Sequence, residues 1–128
     1  GNSLKEYRVI NCNGTIYYGK HLIVTAKACN ENILDKAKIA AFVKELVPRI
    51  DMVAFGEPLV ERFGEGVQVG ISAVQLILTS AITIHTNDQA RDMYLDVFSC
   101  KTFAEDEVLK FVQEAFNPTS TNYQVLMR

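Results

Sequence analysis

The sequence predicts an α+β fold, a two-layer sandwich in which two helices cover one face of a mostly antiparallel sheet. Three observations lead there. Only two segments, 30–50 and 104–116, carry apolar residues at helical spacing. The other apolar stretches alternate with polar residues or are rich in β-branched and aromatic side chains, as strands are. The central strands are joined by connections too short for crossovers, so they pair antiparallel. At 128 residues, with no repeat, linker or low-complexity stretch, the chain reads as one domain, 1–128.

Each element follows in order. "YRVINCNGTIYYGKHLIVTAKAC" alternates apolar and polar residues, and Asn13-Gly14 interrupts it as a hairpin turn would. "NENILDKAKIAAFVKELVPRI" is the first helix: Ile33, Ala37, Ala40, Ala41 and Leu46 can share a face, Asn30 or Asn32 can cap its start, and Pro48 marks its end. "MVAFGEPLVERF" reads as a strand with a broken finish, and the glycine-rich "GEGVQVG" as a loop. "ISAVQLILTS" and "AITIHT" are strongly apolar strand sequence, "NDQARD" is a turn, and "MYLDVFSC" is another strand. "AEDEVLKFVQEAF" is an amphipathic helix with acids in its first turn and Val108, Phe111, Val112 and Phe116 on its apolar stripe. "NPTSTN" is a loop before a final strand, "YQVLMR".

Composition excludes several function classes. The net charge is −2 and no basic cluster stands out, so neither nucleic acid nor an anionic membrane surface is an expected partner. No apolar run reaches the length of a membrane span, and "GNSLKEY" has no signal-peptide pattern. Cys12, Cys29 and Cys100 are odd in number and lack metal-ligand spacing. No disulfide framework and no metal site are expected, and a reducing cytoplasm is the natural setting. The exposed edges of such a sheet favour a homodimer.

The polar residues of "TSAITIHT" raise the question of chemistry. A serine, a histidine or a cysteine on a strand is structural by default. Strand parity adds something: Ile82 and Ile84 point to the core, so Thr83 and His85 point away from it. If "AITIHT" and "MYLDVFSC" form a hairpin about "NDQARD", Cys100 falls near Ser80. A conventional serine-hydrolase triad fits poorly, because there is no G-x-S-x-G motif and His21 is far away in sequence.

Taken in order, "GKHLIVTAKAC", "GIS" at 70–72, "SAITIHT" at 80–86 and "DVFSC" at 96–100 resemble the short bacterial and archaeal S-adenosylmethionine decarboxylases, which are pyruvoyl enzymes. The resemblance runs from about Tyr18 to the C-terminus. It implies that Ser80 is the precursor of the pyruvoyl cofactor. The Ser80 hydroxyl would attack the carbonyl of Thr79, the ester would undergo β-elimination, and the chain would separate into 1–79 and 80–128. Ser72 and His85 match the residues that assist this processing, a hydroxyl for the intermediate and an imidazole for the α-proton. Cys100 matches the proton donor to the substrate carbon. The cofactor would form a Schiff base with the substrate amine and take up electrons as carbon dioxide leaves. The product serves polyamine (spermidine) synthesis.

The chain departs from the family pattern at named positions. Thr79 stands where Glu is common, and Ala81 where His is common. Asn87-Asp88-Gln89 replaces Trp-Pro-Glu, so Gln89 would meet the substrate ribose with one acceptor oxygen and no charge. Lys101 stands where Gly usually follows the cysteine, and Phe63 is the nearest candidate to stack on adenine. Three readings follow: S-adenosylmethionine decarboxylase, a pyruvoyl decarboxylase of a basic amino acid such as ornithine or arginine, and an unprocessed relative that binds a ligand or partner. A bare fold-level likeness, an α+β binding domain, is the fourth and plainest.

Overall fold

The computed structural model describes residues 6–128; residues 1–5, where the segment "SLKEYRVINC" begins, lie outside the described residues. The element order is β1 (Ile10–Cys12), β2 (Thr15–Tyr17), β3 (Lys20–Lys27), α1 (Lys36–Arg49), β4 (Ala54–Phe63), β5 (Gly70–Ile77), β6 (Ser80–Asn87), β7 (Asp92–Ser99), α2 (Glu105–Phe116) and β8 (Ser120–Met127). Strands β3 to β8 form one sheet in the order β4-β5-β6-β7-β3-β8, and every neighbouring pair is antiparallel. Both helices pack on the same face of it. The expected α+β sandwich is the observed architecture.

Alternation decides which side is core. Leu22, Val24 and Ala26 of β3, Ile82 and Ile84 of β6, and Met93, Leu95 and Val97 of β7 are all buried and join one cluster with both helices. Their neighbours at odd offsets point to the other, uncovered face. The fully buried residues of α1 are Ile39, Phe42, Val43, Leu46 and Val47, a spacing of three and four that puts them on one stripe. Ala37 and Ala41, expected on that stripe, are exposed. The reason is an interruption: Ile33 belongs to a separate single turn, Glu31–Leu34, so the helical phase restarts after it.

Capping explains the restart. Asn30 caps the short turn by accepting from Asn32 N–H, while Asp35 caps α1 by accepting from Ala37 and Lys38 N–H. Pro48 lies inside the last turn and the helix ends at Arg49, close to where proline was expected to end it. Helix α2 starts with Glu105, Asp106 and Glu107 at the positive end of its dipole. Its apolar stripe is the expected one, Val108, Phe111, Val112 and Phe116. Phe42 stacks on Phe111 at 4.7 Å between centroids and lies 4.9 Å from Phe116.

Two strands differ from expectation. β4 is irregular near its beginning, with a register shift between Phe55 and Leu59 where Gly56 takes a positive φ of 72°. It lies at the sheet edge, where Pro58 costs no ladder bond inside the sheet. β8 begins at Ser120, before the tyrosine, because its pairing with β3 extends to Lys27↔Ser120. The β1–β2 hairpin turns at Asn13-Gly14, both with positive φ, and forms a small sheet of its own.

Phe116 is 1% exposed and joins both helices to the sheet. Phe116→Ala is expected to destabilise the chain by about 3–5 kcal/mol. Urea unfolding followed by circular dichroism checks this, with a lower midpoint and an unchanged slope as the expected outcome.

Candidate active site

The site is built by the register of three strands. β5 and β6 are joined by the two-residue turn Leu78-Thr79, with Ile77 opposite Ser80. That turn sets Ser72 opposite His85. On the other side of β6, Ser80 pairs with Ser99 and His85 with Tyr94. "AITIHT" is therefore a separate strand, not a continuation of the one before it.

Ser72 and His85 point to the uncovered face and meet there. Ser72 Oγ and His85 Nδ1 are 2.7 Å apart. They share a cleft of about 320 Å³ with Phe63, Gly64, Gly70 and Thr86. The backbone at this rung is close: a Cβ on Gly70 would lie 1.7 Å from the carbonyl oxygen of Thr86. Only glycine fits so tight an approach. The Thr86 hydroxyl accepts from the N–H of Ile71 at 2.8 Å, which ties the two strands beside the dyad. These are contributions that reading Ser72 and His85 alone misses. The alternation of β6 and the adjacent Gly-Ile-Ser would have located them.

Thr79, Ser80 and Cys100 lie at the other end of β6. Thr79 is exposed in the turn and Ser80 is half-buried at the first position of the strand. Their hydroxyls are 3.3 Å apart. Cys100 follows Ser99, the strand partner of Ser80, and its backbone N–H donates to the carbonyl of Thr79 in a long contact of 3.5 Å. The hairpin thus brings the hydroxyl of Ser80 and the residue Cys100 to the same end of the sheet. Ser99, buried, accepts from the N–H of Lys101 at 2.9 Å and turns the chain sharply after Cys100.

The two groups do not meet within one chain. Five residues of extended strand separate Ser80 from His85, a distance of ~17 Å. An odd offset also places them on opposite faces of β6. Gln89 is further still, exposed in the turn that joins β6 to β7. Phe63, by contrast, lines the Ser72–His85 cleft.

His21 and Cys29 have structural surroundings of their own. His21 Nε2 lies 2.9 Å from Asp96 Oδ1 on the uncovered face, and the ring meets Phe98 edge-on. Burial pushes the Cys29 thiol up to about 11, with the nearby Asp92 adding to the effect, so it stays a neutral packed group. A groove of about 340 Å³ between the helices contains Phe42, Arg49 and Phe111, but Arg49 is paired with Glu45 and Glu114, and among the described residues its lining has no Ser, Thr, Cys or His. Among the described residues no cluster could hold a metal ion, and no helix is long and apolar enough to cross a membrane.

Behind the Cys100 turn is a buried cation. Lys20, 9% exposed, lies on the same rung as Ser80 and Ser99. Its ammonium donates to the carbonyl of Phe103 at 2.6 Å and to the carboxylate of Glu105, and it sits 4.9 Å from the Phe103 ring centroid. This anchors both the loop after Cys100 and the start of α2 to β3. The hydrogen bond from Lys20 holds the Glu105 carboxyl below its ordinary range.

Comparison with known proteins gives consistent results. A family described as S-adenosylmethionine decarboxylase matches residues 20–128. An S-adenosylmethionine decarboxylase proenzyme of Archaeoglobus fulgidus is 27% identical over 112 residues, which cover 86% of this chain and 96% of that protein. One from Thermodesulfovibrio yellowstonii is 32% identical over 99 residues, covering 77% of this chain and 71% of that protein. The crystal structure of the adenosylmethionine decarboxylase from Aquifex aeolicus VF5 superposes with a TM-score of 0.73 at 18% identity, covering 88% of this chain and 91% of that one. At that identity the likeness is one of fold.

The Lys20–Glu105 pair has a pH signature. A carboxyl whose pKa is lowered on folding contributes stability above its unfolded value, and that contribution is lost as pH falls through the folded one. Glu105→Gln is therefore expected to be less stable than the wild type near pH 7. The difference should close as pH falls below roughly 4. Urea midpoints of both proteins across that range provide the check.

Proposed function

The chain belongs to the S-adenosylmethionine decarboxylase family, and from that premise we propose that it is a self-cleaving pyruvoyl decarboxylase of S-adenosylmethionine that serves polyamine synthesis in the cytoplasm. The observation that carries this reading is the Thr79–Ser80 junction. An exposed two-residue turn presents the peptide bond, Ser80 opens the following strand, and the Cys100 amide is directed at the Thr79 carbonyl. The relatives are named as proenzymes, and a proenzyme needs such a bond.

The residues fit a cofactor made in place. Ser80 Oγ adds to the carbonyl carbon of Thr79, and the oxygen that gains charge faces the N–H of Cys100. The C–N bond breaks and Ser80 becomes an ester of Thr79. Loss of the Ser80 α-proton to an imidazole then expels the Thr79 carboxylate and leaves a dehydroalanyl residue. Water hydrolyses that to a pyruvoyl group and ammonia. The cut falls in a turn, so β5 and β6 remain paired along their length and the new terminus stays on the ladder opposite Ser99. A pyruvoyl carbonyl at this point supplies an electron sink for decarboxylation of an amine-bearing acid. The Cys100 thiol, half-exposed on the adjacent turn, would return a proton to the substrate carbon.

His85 serves this chemistry only if a second copy brings it. The ~17 Å between Ser80 and His85 is too far for proton transfer, which needs hydrogen-bond reach. A homodimer supplies the missing group. The uncovered face carries Val74, Leu76, Tyr94 and Leu126, at 38 to 52% exposure, around the Ser72–His85 cleft. Pairing two such faces with their strands reversed buries apolar surface and would bring the end of one sheet that carries the dyad and Phe63 to the Thr79–Ser80 end of the other, where the exposed turn is reached from the sheet edge.

Two outcomes test the proposal. Ser80→Ala should abolish cleavage and all carbon dioxide release from labelled S-adenosylmethionine; intact-mass analysis showing two fragments from the wild type and one from the variant is expected. A wild-type chain that stays whole after long incubation sinks the enzyme reading. His85→Ala chains, inert alone, should be cut when mixed and refolded with Ser80→Ala chains, which keep their dyad. No cut in that mixture would return His85 to a role within its own chain.

A further inference from the structure

The β1–β2 hairpin precedes the family-matched residues 20–128. It nevertheless reaches the proposed reaction centre. Val9, Ile10 and Asn11 form one wall of a cleft of about 490 Å³, and Thr79, Cys100 and Lys101 form the other. Ile10 is buried at 9% exposure although it is not part of the main core.

Among the described residues, Lys101 is the single charged one lining that cleft. Its ammonium donates to the backbone carbonyl of Asp51 at 2.8 Å. Among the described residues no carboxylate lies within ion-pair distance of it; Asp51 itself lines the adjoining cleft. An ammonium has three donors, so two remain for a ligand. The position also immediately follows Cys100.

We propose that this cleft is a carboxylate-recognition site: Lys101 pairs with the carboxylate of the incoming amine-bearing acid, and the N-terminal hairpin roofs the cleft and limits access to Cys100. The substrate assignment rests on the reading of Ser80 and Cys100 above. A carboxylate that leaves as neutral carbon dioxide loses its attraction to Lys101 during the reaction. The pair therefore strengthens binding and orientation and gives no extra hold on the transition state. Lys101 is a binding residue of the cleft, and the hairpin is its cover.

Labelling of Cys100 tests both parts without requiring cleavage. The full chain carrying Ser80→Ala is treated with iodoacetate, a small carboxylate, or with neutral iodoacetamide, and modification of Cys100 is followed by peptide mass mapping. Lys101→Gln is expected to lower the iodoacetate rate relative to the iodoacetamide rate by roughly three- to tenfold, the effect of one nearby charge at partial solvent exposure. Val9→Ala with Ile10→Ala should raise the iodoacetamide rate. A ratio unchanged by Lys101→Gln overturns the carboxylate site, and an iodoacetamide rate unchanged in the hairpin variant overturns the roof. Absence of labelling at Cys100 in every arm overturns the cleft as an entry route. Because the chain is uncleaved by design, none of these outcomes is confused with a failure of self-cleavage.

Discussion

The turn at Leu78-Thr79 is the constraint from which the rest of the site follows. Its two residues allow one register between β5 and β6, with Ile77 opposite Ser80. From that register Ser72 must face His85, and from the β6–β7 pairing Cys100 must lie just past the partner of Ser80. A slip of one residue would turn Ile82 and Ile84 out of the core and His85 into it. Burial of these isoleucines, at 0% and 2% exposure, makes that slip costly. The core thus holds the candidate site residues in place although none of them belongs to it.

The same alternation divides the molecule into two functional halves. The helix-covered side is apolar and closed, with Phe42, Phe111 and Phe116 joining the helices to each other. The uncovered side carries the polar dyad, the His21–Asp96 pair and several exposed apolar side chains. Covering one face leaves the other open. The Cys100 end is held differently, by a buried ammonium that bonds to Phe103 and Glu105 and so fixes the loop between β7 and α2. An unpaired charge there would be expensive to bury, so Glu105 and the Phe103 carbonyl are part of what makes Lys20 tolerable.

Much of the fold was legible. Period-two and period-3.6 patterns mark the strands and both helices, and Asn13-Gly14 and "NDQARD" mark turns. The misread face of α1 has a local cause, since Asp35 can cap as well as Asn30 and restarts the helix two residues before Ala37. The turn at Leu78-Thr79 has no glycine, proline or asparagine, so the sequence leaves open whether "AITIHT" continues or follows the strand before it. The candidate site residues come from the resemblance, in which Ser72, Ser80, His85 and Cys100 stand in order at family spacing. Their distances were not legible.

The sequence by itself determined the α+β class, the inward set of the strand that carries Ile82 and Ile84, and the candidate reactive residues. These depend on local spacing and residue type, which a linear pattern carries in full. Tertiary structure alone decided which of those residues share a cleft. Ser80 and His85 are five positions apart in sequence yet lie at opposite ends of a strand and on opposite faces, whereas Ser72 and His85, thirteen apart, share a hydrogen bond. It also decided that the N-terminal hairpin, which lies outside the quoted family motifs, faces Cys100 and Lys101. Such proximity is set by hairpin register and by packing across the sheet, and these are long-range quantities no local pattern contains.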